Sequence, residues 1–324
     1  MIDLSIVIVS YETREITLAC LAAIDREVRG RRDAGRIETE TILVDNASGD
    51  GTAEAVAERH PWVKAIALPA NVGFARGCNA GLRAAAGRHA VLLNSDTLVR
   101  RDALERCVAF LDAHPDAGVV GPQLLHPDGR RQNSVHAAPG ILTELVPRGV
   151  LETLFPRRFP SKRRRVAAPV DVDAVLGACL VVRREVWQKI GGLPEEYFMF
   201  LEETDWCWSI REAGWRVVHL PDVELVHLSG ASSGRKDALR KRIEYHRSLY
   251  RFLAKRRGER AARIVRAQRI AKCAAGLVLG APLVCFSDRQ RRRWRERDGL
   301  LSWHLRGRPE GEGLAPAGAP GAAS

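Results

Sequence analysis

The chain has 324 residues, 46% hydrophobic and 28% charged, with 51 Lys and Arg against 39 Asp and Glu. This composition is typical of a globular protein, and it excludes intrinsic disorder, collagen and a small disulfide-linked scaffold. The seven cysteines are an odd number without a close pair, so the sequence indicates neither a CxxC metal site nor a disulfide framework. Reduced thiols, together with an N-terminus that lacks the features of a secretory signal, predict a cytoplasmic protein.

Positive charge is concentrated towards the C-terminus. Residues 240–297 contain 19 Lys and Arg and 4 Asp and Glu, so the rest of the chain has 32 basic and 35 acidic residues. Nucleic-acid binding through counterion release requires cations spread over a footprint, and base stacking requires aromatic side chains, which form only 6% of the chain. We therefore expect no nucleic-acid partner.

An uncharged stretch, CAAGLVLGAPLVCFS, occupies residues 273–287 within this basic region. A membrane-spanning helix requires about 20 apolar residues, so the stretch is too short to cross a bilayer. Arginines bracket it on both sides, which favours an interfacial segment whose cations contact anionic lipid headgroups. The alternative is a buried hairpin of the core. The favoured interpretation predicts a peripheral protein on the inner face of the cell membrane.

Short apolar runs alternate with helix-length patterns in the first hundred residues. Such alternation predicts an α/β fold with a parallel sheet, in which ligands bind beyond the carboxyl ends of the strands. Ser10, Asp45, Asn94 and Asp96 each fall at or just past the end of a run. The predicted strands cover residues 4–9, 40–45, 64–68 and 89–94, and the predicted helices cover 13–28, 52–60 and 77–86.

The remainder of the chain divides by composition. Residues 137–168 are rich in proline and cations, which is typical of a loop or lid. The segment 171–228 contains further strand and helix patterns, including the strands WRVVHL and VELVHL, and 237–257 predicts an amphipathic helix. Residues 307–324, rich in Gly, Pro and Ala, are expected to be disordered.

Four segments at the predicted strand ends carry polar residues. They are VSYE (9–12), LVDNASGDGT (43–52), NVGFARGCNAG (71–81) and LLNSDT (92–97). This set resembles the nucleotide-sugar-binding half of the family-2 glycosyltransferases, which have a Rossmann-like GT-A fold. Residues 177–232 resemble the acceptor half of the bacterial rhamnosyltransferase branch. The resemblance covers about residues 3–255 in consistent order, which is more specific than any single motif.

The resemblance implies a fold and a domain division. The fold is a GT-A α/β domain, with a Rossmann-like, mostly parallel sheet flanked by helices, followed by a basic helical tail that associates with the membrane. The nucleotide-sugar-binding half then spans residues 1–100, and the acceptor-binding and catalytic half spans 101–236. The membrane-associating region follows at 237–306 and the disordered tail at 307–324.

The resemblance also implies a reaction. One sugar is moved with inversion from a nucleotide diphosphate sugar donor to an acceptor hydroxyl. The branch implies L-rhamnose from dTDP-rhamnose as the sugar, and a polyprenyl-linked, lipid-linked saccharide as the acceptor, in bacterial cell-envelope polysaccharide synthesis.

The donor-binding residues are expected in the first three segments, which include Ser10 and Glu12. The resemblance implies that the Asp45 carboxylate accepts a hydrogen bond from the imide N–H of uracil or thymine. The alternative is that Asp45 hydrogen-bonds its own turn, as aspartates commonly do. Glu12 stands where the family usually has Asn, so its contact with the nucleotide is left open. Near the start of the third predicted helix, Gly73 allows close backbone approach to a diphosphate; an ordinary strand-to-helix connection would use the same residue types. The other donors expected there are Asn71, Arg76 and Asn79.

The metal-binding residues are expected at Asn94-Ser95-Asp96, which occupies the place of the family's DxD motif. Only Asp96 keeps the carboxylate, and Mg²⁺ often takes one or two protein carboxylates together with substrate phosphates. His227 matches a histidine that is an additional metal ligand in related enzymes, and an imidazole ligand would tilt the preference towards Mn²⁺. The alternative for His227 is a structural histidine on a strand. We therefore expect a divalent metal, Mg²⁺ or Mn²⁺, as cofactor.

The catalytic acids are expected in FLEETDW, which supplies Glu202, Glu203 and Asp205. Helical spacing puts Glu202 and Asp205 on one face and turns Glu203 away, so spacing does not identify the base. Alignment with the family's acidic pair makes Glu203 the general base that removes the acceptor proton. The alternative is that the acids only stabilise the first turn of a helix.

Two other classes of protein share parts of this pattern. A sugar nucleotidyltransferase would have the same α/β start, but it should carry a glycine-rich phosphate loop after the first strand, where VSYETRE has no glycine. A noncatalytic nucleotide-sugar-binding scaffold would lose the acids at positions 96 and 203, and both are present. The sequence therefore favours a glycosyltransferase over both alternatives.

Overall fold

The computed structural model describes residues 1–30, 37–155, 168–228, 238–309 and 311–315. The chain divides into two units. The first comprises Met1–Ala138, Lys162–Glu195 and Glu202–Gly234, and the second comprises Pro139–Ser161, Glu196–Leu201 and Arg235–Ser324. The first unit contains the central sheet, and the second contains the C-terminal helices.

The first unit is built on a sheet in which the strands follow the order β3-β2-β1-β4-β10-β6-β11-β5, with β8 paired to β11. A separate two-stranded sheet joins β7 and β9. The strands are β1 (Leu4–Ser10), β2 (Thr39–Asp45), β3 (Lys64–Ala67), β4 (His89–Asn94), β5 (Thr97–Leu98), β6 (Ala117–Leu125), β7 (Val135–His136), β8 (Val170–Asp171), β9 (Ala174–Val175), β10 (Cys179–Arg183) and β11 (Arg216–His227).

Helices flank the sheet in the first unit, and α1 continues into a π-helical turn over Asp25–Arg29. The predicted α/β fold is therefore confirmed. In chain order the helices of both units are α1 (Arg14–Ile24), α2 (Thr52–Arg59), α3 (Phe74–Ala84), α4 (Ala103–Ala113), α5 (Ile141–Leu145), α6 (Arg148–Leu154), α7 (Arg184–Ile190), α8 (Glu202–Glu212), α9 (Ala238–Arg257), α10 (Glu259–Gly280) and α11 (Asp288–Leu305).

The register of the parallel strands brings the polar strand ends together. β1 is buried along most of its length, which explains why its residues are mainly Ile, Val and Leu. It pairs in parallel with β2, where Ser10 lies opposite Asp45, and with β4, where Val9 lies opposite Asn94. The strand ends that the sequence analysis singled out thus lie at one edge of the sheet.

The second half of the sheet contains antiparallel pairs. β10 runs antiparallel to both β4 and β6, and β11 runs parallel to β6 but antiparallel to β5 and β8. The two strands predicted at 215–220 and 223–228 form the single strand β11, with an irregularity between Leu220 and Glu224. The pairing of β11 with β5 sets His227 opposite Thr97, immediately after Asp96.

Two glycines let α3 lie very close to β1. A Cβ added at Gly77 would lie 2.9 Å from Cγ1 of Val9, and one added at Gly81 would overlap Cγ1 of Val7. Such distances are shorter than van der Waals contact, so these positions of the segment NVGFARGCNAG serve helix-to-sheet packing. The close approach holds the N-terminus of α3 near the carboxyl ends of β1 and β2.

The second unit differs from the sequence expectations in two places and matches them in a third. The predicted loop at 137–168 contains α5 and α6, and residues 156–167 lie outside the described residues. The predicted helix at 237–257 is α9. Residues 307–324 were expected to be disordered, but residues 311–315 contact α9. Gly313 accepts a hydrogen bond from Arg240 (Nε to O, 2.7 Å), and the Leu314 N–H donates to Glu244. Residues 316–324 lie outside the described residues.

The uncharged stretch 273–287 forms the tip of a helical hairpin made by α10 and α11. Ser287 caps α11 by accepting a hydrogen bond from the backbone N–H of Gln290. Trp294 and Arg297 of α11 donate to the carbonyl groups of Leu277 and Gly276 in α10. The tip is not a buried hairpin, because its large apolar side chains are exposed: Val278 (74%), Leu279 (76%) and Phe286 (81%). Among the described residues, every helix falls short of the length and apolarity needed to cross a membrane.

The close packing of α3 on β1 predicts the effect of a single added methyl group. We expect Gly81→Ala to lower the free energy of unfolding by about 1–3 kcal/mol, the usual cost of overpacking a core, because the new Cβ overlaps Val7. Chemical denaturation measures this change. In a Val7→Ala background the same substitution should cost less, because the overlapping methyl group is gone. An equal cost in both backgrounds would contradict the explanation.

Candidate active site

The turn after β2 presents Asp45 at the carboxyl edge of the sheet. Ser48 donates from both its backbone N–H (3.2 Å) and its hydroxyl (2.5 Å) to Oδ1 of Asp45. The Glu12 backbone N–H donates to the same Ser48 hydroxyl oxygen (3.0 Å), and the Glu12 carboxylate accepts from the Gly49 N–H (2.7 Å). Glu12 therefore links the loop after β1 to the loop after β2. The Asp45 carboxylate is held in one orientation by its own turn.

Ser10 lies beneath this edge and has no exposed surface. Its hydroxyl is within hydrogen-bond distance of Thr13 (3.0 Å) and Thr17 (2.8 Å) at the start of α1. The structure thus uses Ser10 to join the end of β1 to α1, inside the protein and away from the surface where a donor would bind.

The N-terminus of α3 is shaped by two asparagines. Asn71 accepts hydrogen bonds at Oδ1 from the Gly73 N–H (3.0 Å) and from the Asn46 side chain (2.9 Å), and Asn46 also accepts from the Val72 N–H. Gly73 has φ +86°, a conformation that side-chain-bearing residues rarely adopt. This loop leads directly into α3, whose first backbone N–H groups have no partner within the helix and favour an anion.

Two residues of α3 that the sequence predicts to bind the donor contact the loop before α8. The Asn79 amide donates to the Leu193 carbonyl (2.8 Å) and to Glu195 (3.0 Å), and it accepts from the Leu193 N–H (2.8 Å). Arg76 forms an ion pair with Glu195 (3.2 Å). Asn79 is buried and its amide fixes this loop, while Arg76 and Arg83 share the carboxylate of Glu195.

Asp96 and His227 form the second part of the site. Asp96 is 2% exposed, and its Oδ1 lies 3.2 Å from Nε2 of His227. The other ring nitrogen of His227, Nδ1, lies 2.9 Å from Oε1 of Gln132. The backbone keeps the two residues together, since the Leu228 N–H donates to the Asp96 carbonyl (2.8 Å).

This pair fits a divalent cation. Adjacent ligands of an octahedral ion with bonds of 2.0–2.1 Å lie roughly 3 Å apart, close to the observed Nε2 to Oδ1 distance. The carboxylate suits either Mg²⁺ or Mn²⁺, and the imidazole favours Mn²⁺. The described residues contain no group of three or more His, Cys, Asp or Glu that could hold a metal, so the remaining ligands would come from substrate phosphates and water.

The acids of α8 are buried beside α3. Glu202, Glu203 and Asp205 are each less than 9% exposed, and the two residues before them, Phe200 and Leu201, both have positive φ. Burial raises the pKa of the Cys78 thiol in α3 well above its usual value, and the charges of Glu202 and Glu203 add to the effect. The chain thus enters α8 through two residues of strained backbone, and the first turn of the helix places the acids in the interior next to α3.

A short segment before β10 connects the acids of α8 with the loop that carries Asp96. The Ala178 carbonyl accepts from the Asn94 N–H (3.1 Å) and from the Thr97 hydroxyl (3.1 Å). The backbone of Gly177 hydrogen-bonds Glu203, and a Cβ at position 177 would lie 3.6 Å from Cγ of Glu203. One dipeptide thus touches both sides of the site.

The environment of Glu203 shifts its proton affinity. Burial raises the pKa of the Glu203 carboxyl above its ordinary value, and backbone hydrogen bonds, including that from Gly177, only partly oppose the effect. A carboxylate with a raised pKa is a stronger base than one in water, which suits it to accept a proton from an alcohol.

Sequence reasoning missed Gln132, Glu195 and Gly177, all of which shape the site. Gln132 lies 95 positions from His227, and Glu195 lies 116 positions from Asn79. A local motif contains no information on such partners. Gly177 carried a signal, because it precedes the strand-like run ACLVV.

Comparison with known proteins identifies the family. Residues 5–191 match the model of glycosyl transferase family 2. The N-acetylglucosaminyl-diphospho-decaprenol L-rhamnosyltransferase of Mycobacterium tuberculosis is 30% identical over 230 residues, which are 66% of this chain and 74% of that protein. The dTDP-rhamnosyl transferase RfbF of Shigella flexneri is 23% identical over 195 residues, which are 59% of this chain and 60% of that protein.

Among solved structures, the mannosyltransferase PcManGT of Pyrobaculum calidifontis in complex with GDP-Man and Mn²⁺ has the same fold. The match has a TM-score of 0.56 at 22% identity and covers 94% of this chain and 88% of that one. The α/β sheet with buried carboxylates at its polar edge defines the class as a GT-A glycosyltransferase. The chain belongs to glycosyl transferase family 2.

The raised pKa of Glu203 predicts a pH-dependent cost in stability. Folding disfavours the ionised carboxylate, so this residue destabilises the fold least below the ordinary glutamate pKa of about 4.3, and most above its raised pKa. We expect Glu203→Gln to have a higher Tm than the unaltered protein at pH 8, and the difference to shrink as the pH falls towards 4.5. Melting followed by circular dichroism measures this, with the exposed Glu58→Gln as control. A difference that does not change with pH would contradict the assignment.

Proposed function

We propose that the protein transfers L-rhamnose, with inversion, from dTDP-L-rhamnose to a polyprenyl-linked saccharide in cell-envelope polysaccharide synthesis. The observation that carries the proposal is the contact of the Gly177-Ala178 dipeptide with both the Glu203 side and the Asp96 side of the site. The names of the relatives from M. tuberculosis and S. flexneri support the sugar, and the former supports the acceptor class.

The donor is bound along the carboxyl edge of β1, β2 and β4. Asp45, oriented by Ser48, accepts the imide N–H of the thymine base. The diphosphate lies against the N-terminus of α3, where the Gly73 conformation leaves room for close approach and the helix dipole favours negative charge. The two loops joined by Glu12 enclose the nucleotide end of the donor.

Asp96 and His227 would hold a divalent ion, Mg²⁺ or Mn²⁺. When bound, such an ion would neutralise charge on the departing nucleotide diphosphate. Glu203 receives the proton of the acceptor hydroxyl as that oxygen attacks the anomeric carbon. Its burial excludes water and strengthens it as a base, and Gly177 fixes the orientation of its carboxylate.

Replacing the base tests the proposed chemistry. Glu203→Gln keeps the shape of the side chain and removes its proton acceptor, so transfer from dTDP-L-rhamnose should fall about 10²-fold or more. Binding of dTDP, measured by calorimetry, should barely change. Glu202→Gln is the matched control for loss of a neighbouring buried charge. Near-normal transfer in Glu203→Gln would remove Glu203 as the base, and equal turnover of UDP- and GDP-sugars would remove the proposed donor.

The second unit is proposed to hold the enzyme on the cytoplasmic face of the cell membrane. Eleven of the thirteen exposed large hydrophobic side chains among the described residues belong to this unit. Three of them, Val278, Leu279 and Phe286, form the hairpin tip, and α11 begins with DRQRRRWR directly after it. Apolar side chains that enter the acyl boundary, with arginines at headgroup level, are the arrangement of an interfacial anchor. Such an anchor would bring the site to a lipid-linked acceptor.

Polar replacement at the hairpin tip tests the membrane proposal. We expect the triple variant Val278→Ser, Leu279→Ser, Phe286→Ser to lose most of its co-sedimentation with anionic vesicles, because burial of these side chains drives insertion. High salt should weaken binding of the unaltered protein, because it screens the arginines. The variant Tyr11→Ser, which removes an exposed large side chain of the first unit, is the control. Unchanged binding of the tip variant would contradict the proposal.

A further inference from the structure

We propose that Gln132 is a positioning residue that fixes the ring of His227, so that Nε2 and the Asp96 carboxylate face one cation-binding point. This inference deepens the proposed function and rests on its metal pair. Gln132 belongs to none of the motifs that the family resemblance used, and it contacts neither donor nor acceptor in the proposed reaction. Its role is argued from hydrogen-bond chemistry alone.

The orientation of the Gln132 amide is fixed by groups that only accept. Its Nε2 donates to the backbone carbonyls of Leu125 (3.1 Å) and His227, and it also lies 3.1 Å from Nδ1 of His126. Carbonyl oxygens cannot donate, so the amide nitrogen must occupy this position. The amide oxygen Oε1 is therefore the atom that faces His227.

The tautomer of His227 follows from that orientation. Oε1 of Gln132 only accepts, and it lies 2.9 Å from Nδ1 of His227, so Nδ1 carries the hydrogen in the neutral ring. Nε2 then has its lone pair directed at Oδ1 of Asp96, 3.2 Å away. Nε2 of the ring and Oδ1 of Asp96 thus lie side by side, at a separation that two ligands of one cation can have.

The backbone makes Gln132 a rigid support. Its N–H donates to the Leu124 carbonyl (2.8 Å) at the end of β6, and its own carbonyl accepts from Nε2 of Gln123 (2.8 Å). Histidine ligands of metals commonly donate their second N–H to such an oxygen, and loss of that partner typically weakens metal binding 10–100-fold. We expect a loss of the same size here.

The experiment replaces Gln132 with methionine, which has a similar length but lacks both the acceptor and the donors. Mn²⁺ binding is measured in the presence of dTDP by electron paramagnetic resonance, and we expect Gln132→Met to bind 10–100-fold more weakly. The ¹⁵N resonances of His227 at pH 8, without metal, should report hydrogen on Nδ1 in the unaltered protein and a mixture of tautomers in Gln132→Met. His126→Ala is the matched control, because it removes one contact of the same amide but leaves both carbonyl anchors.

The outcomes separate this inference from the proposed function. Unaltered Mn²⁺ affinity in Gln132→Met, or hydrogen on Nε2 in the unaltered protein, would overturn the positioning role. Asp96→Asn and His227→Ala test the metal pair itself. If both bind Mn²⁺ normally, the proposed metal pair fails and the inference fails with it. If both lose binding while Gln132→Met retains it, only the inference fails. Circular dichroism confirms that each variant is folded.

Discussion

The carbonyl oxygen of Ala178 is the point on which the arrangement of the site depends. It accepts from both the Asn94 N–H and the Thr97 hydroxyl, and so fixes the loop that carries Asp96 from either side. The residue before it, Gly177, lies against Glu203: a Cβ at position 177 would lie 3.6 Å from Cγ of Glu203, which is ordinary van der Waals contact. The Gly177-Ala178 segment before β10 therefore couples the Asp96 side of the site to the Glu203 side, even though it contributes no side chain to the proposed chemistry.

The sequence predicted the position of the site because strands that pair in parallel have their carboxyl ends at the same edge of the sheet. The ends of β1, β2 and β4 carry polar residues, and the register sets Ser10 opposite Asp45 and Val9 opposite Asn94. These strands are buried on both faces, so a slip of one residue would exchange the side chains that pack on the two sides of the sheet, and packing therefore enforces the register. The same argument could not predict that the 215–228 region forms one strand, because its irregularity after Leu220 looks like a break in the pattern.

Individual roles at this edge were less predictable, since a polar side chain can serve a ligand or the fold. Asn79 has the residue type of a phosphate ligand, but its amide hydrogen-bonds Leu193 and Glu195, which lie 114 and 116 positions away. Glu12 stands where the family usually has Asn. Its carboxylate accepts a hydrogen bond from the Gly49 N–H, a partner that sequence spacing does not indicate. In both cases the deciding partner belongs to a distant loop.

Burial of acids is the remaining constraint, and it links stability to function. Asp96, Glu202, Glu203 and Asp205 are all less than 9% exposed, so the fold encloses several carboxylates where water cannot solvate them well. At Glu203 desolvation raises the free energy of the ionised form, which makes this carboxylate a stronger base. His227 lies beside Asp96. A divalent ion bound to Asp96 and His227 would offset the free-energy cost of burying the Asp96 carboxylate. Part of the affinity for the metal would therefore come from the buried charge of the protein itself.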